Sequence, residues 1–294
     1  MKNDSKFKLC LYKLSRLLPD KVFVKLKYRK SFNRWPNLKH PRTFNEKLNW
    51  LKLNDHNPIY PTLVDKDLVK TYVGKLIGAN HIIQTYGVWD KPEDIDFHKL
   101  PKKFVLKATH DSGRVIICKN KADLDLDAAR EMMAQSLARD FYAVTREWPY
   151  KLVKPRIIAE ELLETPNNEN LADYKVHCFN GEPKFILVCR DRFEESGLCE
   201  DFYDCEWNHL DVKRPNHSNA KTLESRPVHL ELMLKFSKVL SKGFPFMRTD
   251  FYITDDNIYF GEITLYPASG SVPFVPNKFD EIFGDYLTLP TISQ

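Results

Sequence analysis

Residues 246–264 constrain the chain more than any other stretch. Phe246-Met-Arg-Thr-Asp250-Phe-Tyr252 and Ile258-Tyr-Phe-Gly-Glu262-Ile-Thr264 have the residue types of strands, and Thr254-Asp-Asp-Asn257 between them is a cluster of turn formers. The pattern predicts an antiparallel hairpin. Alternation puts Arg248 and Asp250 on one face, Thr249 and Phe251 on the other, and groups Phe260, Glu262 and Thr264 on the return strand. A turn at 254–257 brings Asp250 opposite Gly261–Glu262. Two carboxylates and an arginine then meet on a sheet otherwise made of Phe, Tyr and Ile. Carboxylates that close repel unless a proton or cation lies between them. Oxygen donors suit Mg²⁺, which keeps waters and bridges to phosphates, and Arg248 is suited to neutralise phosphate oxygens. The hairpin reads as a metal–nucleotide platform.

The rest of the chain supplies partners for such a sheet. Asp173 to Phe179, the turn Asn180-Gly-Glu-Pro183, and Lys184 to Cys189 form a second hairpin, because Asn-Gly matches the strand twist. Shorter strands are expected at 103–107, 115–118 and 156–160, with extended chain at 81–89. The run Ala108-Thr-His-Asp-Ser-Gly113 links the first two strands as a loop. Helices are expected from a Thr43/Glu46 capping box to about Asn54, then over 65–77, 125–141 and 229–242. Residues 193–227 read as irregular and polar, with Trp207 an isolated anchor. Hairpins flanked by helices predict an α+β fold.

Composition excludes some classes. Of 294 residues, 43% are hydrophobic and 29% charged, as in ordinary globular enzymes. No apolar run reaches membrane-spanning length, and no secretory signal is visible, so the cytoplasm is the expected compartment. The six cysteines form no CxxC pair and are expected to be free thiols, with Cys178 and Cys189 in buried strands. Residues 1–42 carry thirteen basic side chains against Asp4 and Asp20, while the whole chain is only +5. Phe7, Cys10, Leu11, Leu14, Leu17 and Leu18 within it lie on one face of a helix. Two readings stay open for this arm. It lies on an anionic membrane surface or meets an acidic polymer, or it packs on the main domain with a solvated basic back. No nucleic-acid reader motif accompanies it.

Taken in order, Phe44-Asn-Glu-Lys47, Val64-Asp-Lys66, Phe104-Val-Leu-Lys107 with His110 to Gly113, Ala159-Glu-Glu-Leu162, Asp173-Tyr-Lys175 with Cys178-Phe-Asn-Gly181, and Gly261-Glu-Ile-Thr264 with Pro267 to Gly270 resemble the TupA-like branch of the ATP-grasp superfamily. This branch is found in bacterial surface-polysaccharide gene clusters. The resemblance implies two α+β lobes clasping ATP: a basic helical segment over 1–60, then an ATP-grasp domain over 61–290, with a small lobe near 100–160 and a large lobe near 161–290. It implies ATP contacts from Lys66 and Lys107, from His110, Ser112 and Gly113 in the phosphate loop, and from Glu160, Glu161, Leu162 and Leu163 at the hinge. Lys175 and Arg248 would balance phosphate charge as the catalytic pair. Asp250 and Glu262, with Thr264 where relatives place an asparagine, would hold Mg²⁺. Asp111 stands where the branch has a glycine.

The implied activity joins a carboxylate to an amine through an acyl phosphate, with an amino acid and a uronic acid or acidic glycan as substrates. Arg190 and Arg192 are candidate contacts for the anionic saccharide, and the basic arm for its membrane-linked carrier at the inner face of the membrane. Three rivals are a kinase acting on a saccharide hydroxyl, a capsule glycosyltransferase using Asp201 and Asp204, and a non-catalytic polysaccharide-binding protein.

Overall fold

The computed structural model describes residues 16–164, 171–190, 197–215, 217–254 and 257–291. Two antiparallel sheets organise them. The smaller has the order β1 (Thr85–Trp89), β4 (Ile157–Glu160), β2 (Phe104–Ala108), β3 (Val115–Cys118). The larger has six strands in the order β10 (Ile258–Thr264), β9 (Phe246–Ile253), β5 (Asp173–Phe179), β6 (Glu182–Arg190), β7 (Cys199–Asp204), β8 (His209–Leu210). The α+β expectation and both hairpins hold. β1 adds a strand from before residue 100 to the small sheet.

Helices close one face of each sheet. On the small sheet Phe104, Leu106, Ile157 and Ala159 pack with Ala129 and Met133 of α5 (Leu126–Leu137). Pairing of Val105 with Glu160 and of Lys107 with Ile158 leaves those four on the opposite face. On the large sheet α7 (Leu230–Ser241) lies against β9, β5 and β6. Its Ser237 accepts a 2.8 Å hydrogen bond from Thr249, which fixes that face as the α7 side. The other face divides in two. One end is aromatic, where Phe246 and Phe185 meet Phe44 of α2 (Phe44–Asn54) and Phe283 of α8 (Lys278–Asp285) at centroid distances of 5.1 and 4.1 Å. Its other end is charged.

Helices α3 (Tyr60–Val64) and α4 (Leu68–Ile77) pack against β10, and Lys70 of α4 also reaches Glu160 of β4, whereas α1 (Asp20–Phe32) lies against α2 and α6 (Phe141–Thr145). α2 starts at the predicted capping box, in which Glu46 and Thr43 satisfy each other's backbone N–H groups. Phe44, Leu48 and Leu51 join the large lobe's core, so this helix belongs to that lobe although it lies within the first 60 residues.

The structure corrects three expectations. Residues 193–227 are not wholly irregular, since they supply β7 and β8. β7 carries Glu200 and Asp201 fully buried; they are tolerated because Arg214 pairs with Glu200 and Asn219 donates to Asp201 at 3.0 Å. Those partners lie far along the chain. Helix α8 had not been anticipated. Phe260 and Glu262 do not share a face, because a bulge between them pairs Phe260 with Phe251 and Glu262 with Asp250. The extra residue is Gly261, where a Cβ would sit 3.0 Å from the Tyr252 ring and 3.2 Å from the Asp250 carbonyl oxygen. The bulge turns Glu262 to the charged face while Phe260 stays in the core. Most of the amphipathic face expected for the basic arm (Phe7 to Leu14) lies outside the described residues, as do Cys10 and Arg192. Cys118, Cys178 and Cys189 are buried free thiols, as expected.

Candidate active site

Two ion clusters, one on each sheet, face a common space. On the small sheet Glu160 is buried at the end of β4 and paired with two lysines, Lys107 on β2 and Lys70 on α4, the latter at 2.6 Å. Lys70 also donates to the Ile83 carbonyl and the Thr85 hydroxyl, which ties α4 to the start of β1. Burial alone would raise the Glu160 pKa, but Lys107 and Lys70 overcome this and hold it below the usual range. Two lysines against one carboxylate leave this cluster positive.

On the large sheet Asp250 accepts from Arg248 through both oxygens, Nε–Oδ1 at 2.7 Å and Nη2–Oδ2 at 2.6 Å. Lys175 donates to the same Oδ2 at 2.6 Å and is paired with Asp173 as well. The Arg248 Nη2 reaches Glu262 Oε1 at 3.0 Å, and the Thr264 hydroxyl donates to that oxygen at 3.4 Å. Register explains the meeting: Lys175 lies opposite Asp250, and Asp250 opposite Glu262, across three adjacent strands. Three carboxylates face one lysine and one arginine, so this cluster is negative. Burial pushes Asp250 up against the pull of Arg248 and Lys175. Glu262 goes the other way: burial opposes ionisation, but Lys66, Arg248 and Lys175 bring it down to about 2.

Lys66 connects the clusters. Its Nζ donates to the Asp111 carbonyl at 2.7 Å and lies 3.8 Å from Glu262 Oε2. Burial lowers its pKa, with Glu262, Lys107, Asp111 and Glu160 all close enough to act on it. Thus one lysine between α3 and α4 senses the carboxylates of both sheets.

The loop 109–113 sits beside Lys66. Asp111 does not project into open space: its Oδ1 accepts from Arg139 Nη1 at 2.7 Å and from the Ser112 N–H at 2.7 Å. His110 bonds the Arg139 carbonyl at 3.1 Å, and burial lowers its pKa. Gly113 has φ of 89°, a left-handed value suited to glycine, and a Cβ there would meet nothing within 4 Å. The acid in the glycine position is therefore used as a brace that ties the loop to the chain beyond α5.

A second brace holds the segment that follows β10. Ala268, Ser269 and Gly270 are all left-handed, which is costly for the first two. One face of α2 secures them: Asn49 donates to the Gly270 carbonyl at 2.7 Å, Lys52 to the Ser269 carbonyl at 2.9 Å, and Asn45 to the Val272 carbonyl at 3.2 Å. Lys52 is fully buried, which lowers its pKa to about 7, and burial raises the neighbouring Glu147 to about 7. Between this segment and the sheet lies a cavity of about 20 Å³ lined by Arg248, His177, Arg214, Phe202, Ala268 and Phe274, room for one or two waters.

Most of the anticipated residues converge here: Lys66, Lys107, Glu160, Lys175, Arg248, Asp250, Glu262 and Thr264, with His110, Ser112 and Gly113 in the adjacent loop. Glu161, Leu162 and Leu163 continue from β4 and are half-buried, the Glu161 N–H donating to the Gln84 carbonyl at 2.9 Å. Glu160 is committed to its lysines. Arg190 is not in the group. It lies on the α7 side of β6, pairs with Glu224 at 2.7 Å and donates to the Thr222 carbonyl at 2.6 Å. Sequence reasoning missed Lys70, Asp173, Arg139 and Lys52. For Lys52 the available signal was its i, i+4, i+7 spacing with Asn45 and Asn49 along one face of α2.

The donor set fits a hard cation. Asp250 and Glu262 already converge on one nitrogen of Arg248, so their lone pairs point at a shared position. Among the described residues no group of three or more His, Cys, Asp or Glu could hold a metal ion. Such a pair needs further oxygens from phosphate and water, the habit of Mg²⁺.

A model of the TupA-like ATP-grasp family matches residues 46–288. Solved structures similar to this chain include a D-alanine–D-alanine ligase from Bacillus anthracis complexed with ATP (14% identity, TM-score 0.41, 69% of this chain and 55% of that one). Others are the D-cycloserine synthetase DcsG (14%, 0.41, 71% and 64%) and the ATP-grasp ligase PsnB complexed with its minimal precursor (13%, 0.40, 71% and 54%). The chain spans about half to two thirds of the length of these proteins. No curated protein matches it. Among the described residues no helix is long and apolar enough to cross a membrane.

Proposed function

The chain belongs to the TupA-like ATP-grasp family, and from that premise we propose that it is an ATP- and Mg²⁺-dependent carboxylate–amine ligase of surface-polysaccharide assembly. The observation that carries this reading is the pair of oppositely charged clusters, one on each sheet, with Lys66 set beside Glu262 and the 109–113 loop. A nucleoside triphosphate bound with Mg²⁺ carries negative phosphates at one end and a cation to be chelated nearby. A positive cluster beside a braced loop and a negative cluster opposite it complement those two parts.

In this reading Lys107 and Lys66 bind phosphate oxygens, the N–H groups of the 109–113 loop approach them closely, and residues 161–163 border the base. Asp250 and Glu262 would hold Mg²⁺, which when bound screens charge between the phosphates. Arg248 and Lys175 keep those carboxylates oriented and offset charge as the γ-phosphoryl group moves. The γ-phosphorus–oxygen bond to ADP breaks as a substrate carboxylate oxygen bonds to phosphorus. An amine then attacks the acyl carbon, inorganic phosphate leaves with the bonding pair, and the amine proton passes to solvent. Catalysis of this kind is positioning and charge neutralisation, and no protein nucleophile is required.

The substrates proposed are an amino acid and a uronic acid or acidic glycan. Contact of residues 1–42 with a membrane or an anionic polysaccharide belongs to the same reading. ADP release should be screened with amino acids and uronic-acid acceptors, and products identified by mass spectrometry. ADP appearing only with both substrates and an amide product supports the ligase. A phosphorylated sugar formed without amine would identify the kinase instead.

A further inference from the structure

We infer that the outer face of α1 is a docking surface for an anionic lipid bilayer. This deepens the proposed place of work but rests on the helix's surface alone. The inner face of α1 is fixed to the molecule. Val24 and Tyr28 are buried. The Tyr142 hydroxyl donates to Asp20 at 2.7 and 2.6 Å, and Arg146 lies 3.1 Å from Asp20 with its guanidinium 4.2 Å from the centre of the Phe23 ring. Lys27 donates to the Val144 carbonyl at 3.3 Å. The helix therefore presents its other face in one fixed orientation.

That outer face should be polar in a helix that only packs on its own domain. Instead Val22 and Leu26 stand in a row one turn apart and are 42% and 48% exposed, and Leu18, 39% exposed, lies in the turn just before the helix. Trp35, 53% exposed, extends the apolar area and lies 5.0 Å beneath the Arg29 guanidinium. Lys21 and Lys25 border the row on one side, Lys30 on the other, and Arg29 stands within it. The one acidic residue of α1, Asp20, is turned inward to Tyr142 and Arg146. An aliphatic row with an exposed Trp inside a basic border matches the headgroup–acyl boundary of an anionic membrane. A soluble polyanion would have no use for the aliphatic row, and a second copy would bring two basic borders face to face.

The test is co-sedimentation of the full chain with vesicles of phosphatidylcholine alone and of phosphatidylcholine with phosphatidylglycerol. Binding is expected to the mixed vesicles only, weakening with salt. The Val22→Asp/Leu26→Asp and Lys21→Glu/Lys25→Glu variants should each reduce partition about tenfold or more. Mg-ATP affinity, measured in parallel, should be unchanged in both, which separates this inference from the catalytic one. Equal binding to the two vesicle types, or variants that bind as well as the parent, would overturn it. So would a dimer that Val22→Asp/Leu26→Asp dissociates with no vesicle binding, since a second copy would then cover the row.

Discussion

The two ion clusters use the same residue types to opposite ends. On the small sheet one carboxylate, Glu160, is shared by Lys70 and Lys107, and the surplus is cationic. On the large sheet Asp173, Asp250 and Glu262 outnumber Lys175 and Arg248, and the surplus is anionic. Both are buried enough that neither surplus is idle, since an unmatched buried charge is costly. The difference teaches that the paired charges position side chains while the remainder sets the sign of each face; under the proposed function the positive face would take phosphate and the negative face a cation.

The sharpest way to break this contrast is to neutralise each side in turn. Asp250→Asn and Glu262→Gln should each lower ADP release about 10²–10³-fold, the range for a lost electrostatic contributor. Lys107→Met, on the positive side, should weaken ATP binding while keeping its Mg²⁺ dependence. Glu160→Gln adds to the positive surplus, so ATP affinity should hold or rise even as unfolding becomes easier by about 3 kcal/mol, with two lysines left unmatched. Loss of ATP affinity in Glu160→Gln without loss of stability would refute the assigned roles.

Two smaller effects sharpen the comparison. Gly261→Ala forces a Cβ against Tyr252 and the Asp250 carbonyl, and should cost about 1–3 kcal/mol in denaturant unfolding. Because the bulge aims Glu262, the loss should be accompanied by weaker Mg²⁺ dependence. Lys52→Met removes the clamp on the Ser269 carbonyl and should raise hydrogen exchange across 266–272 with Mg-ATP binding little changed.

The acid limb of stability gives the smallest effect. Glu262 is held near 2 in the folded chain against 4.5 ordinarily. Its contribution is therefore complete above about pH 4.5 and drains away as pH falls towards 2. Denaturant midpoints at pH 5 and 3 should fall less in Glu262→Gln than in the parent, and an equal fall would contradict the assignment.

Much of this was legible in the sequence because it depends on local spacing. The 246–264 and 173–189 hairpins, the Thr43/Glu46 cap and the nearness of Asp250 to Gly261–Glu262 follow from period-two alternation and turn residues. What sequence hid are relationships that depend on distant partners. β7 looked irregular because its acids find Arg214 and Asn219 only after folding. Arg190, at the end of an apolar strand, gave no sign of which face it would take, and strand parity put it with Glu224 on the α7 side. The bulge at Gly261 was invisible to simple alternation, which would have turned Glu262 to the same side as Phe260. The role of Asp111 depends on Arg139, 28 residues further along, and loop composition alone carries no sign of that partner.

The most direct measurement is calorimetric titration of ATP, with Mg²⁺ and with chelator, into the parent and Glu262→Gln. The two-cluster account predicts that Mg²⁺ tightens binding to the parent, and that the variant loses this increment while keeping the affinity seen with chelator. Equal Mg-ATP affinity in both proteins would contradict it.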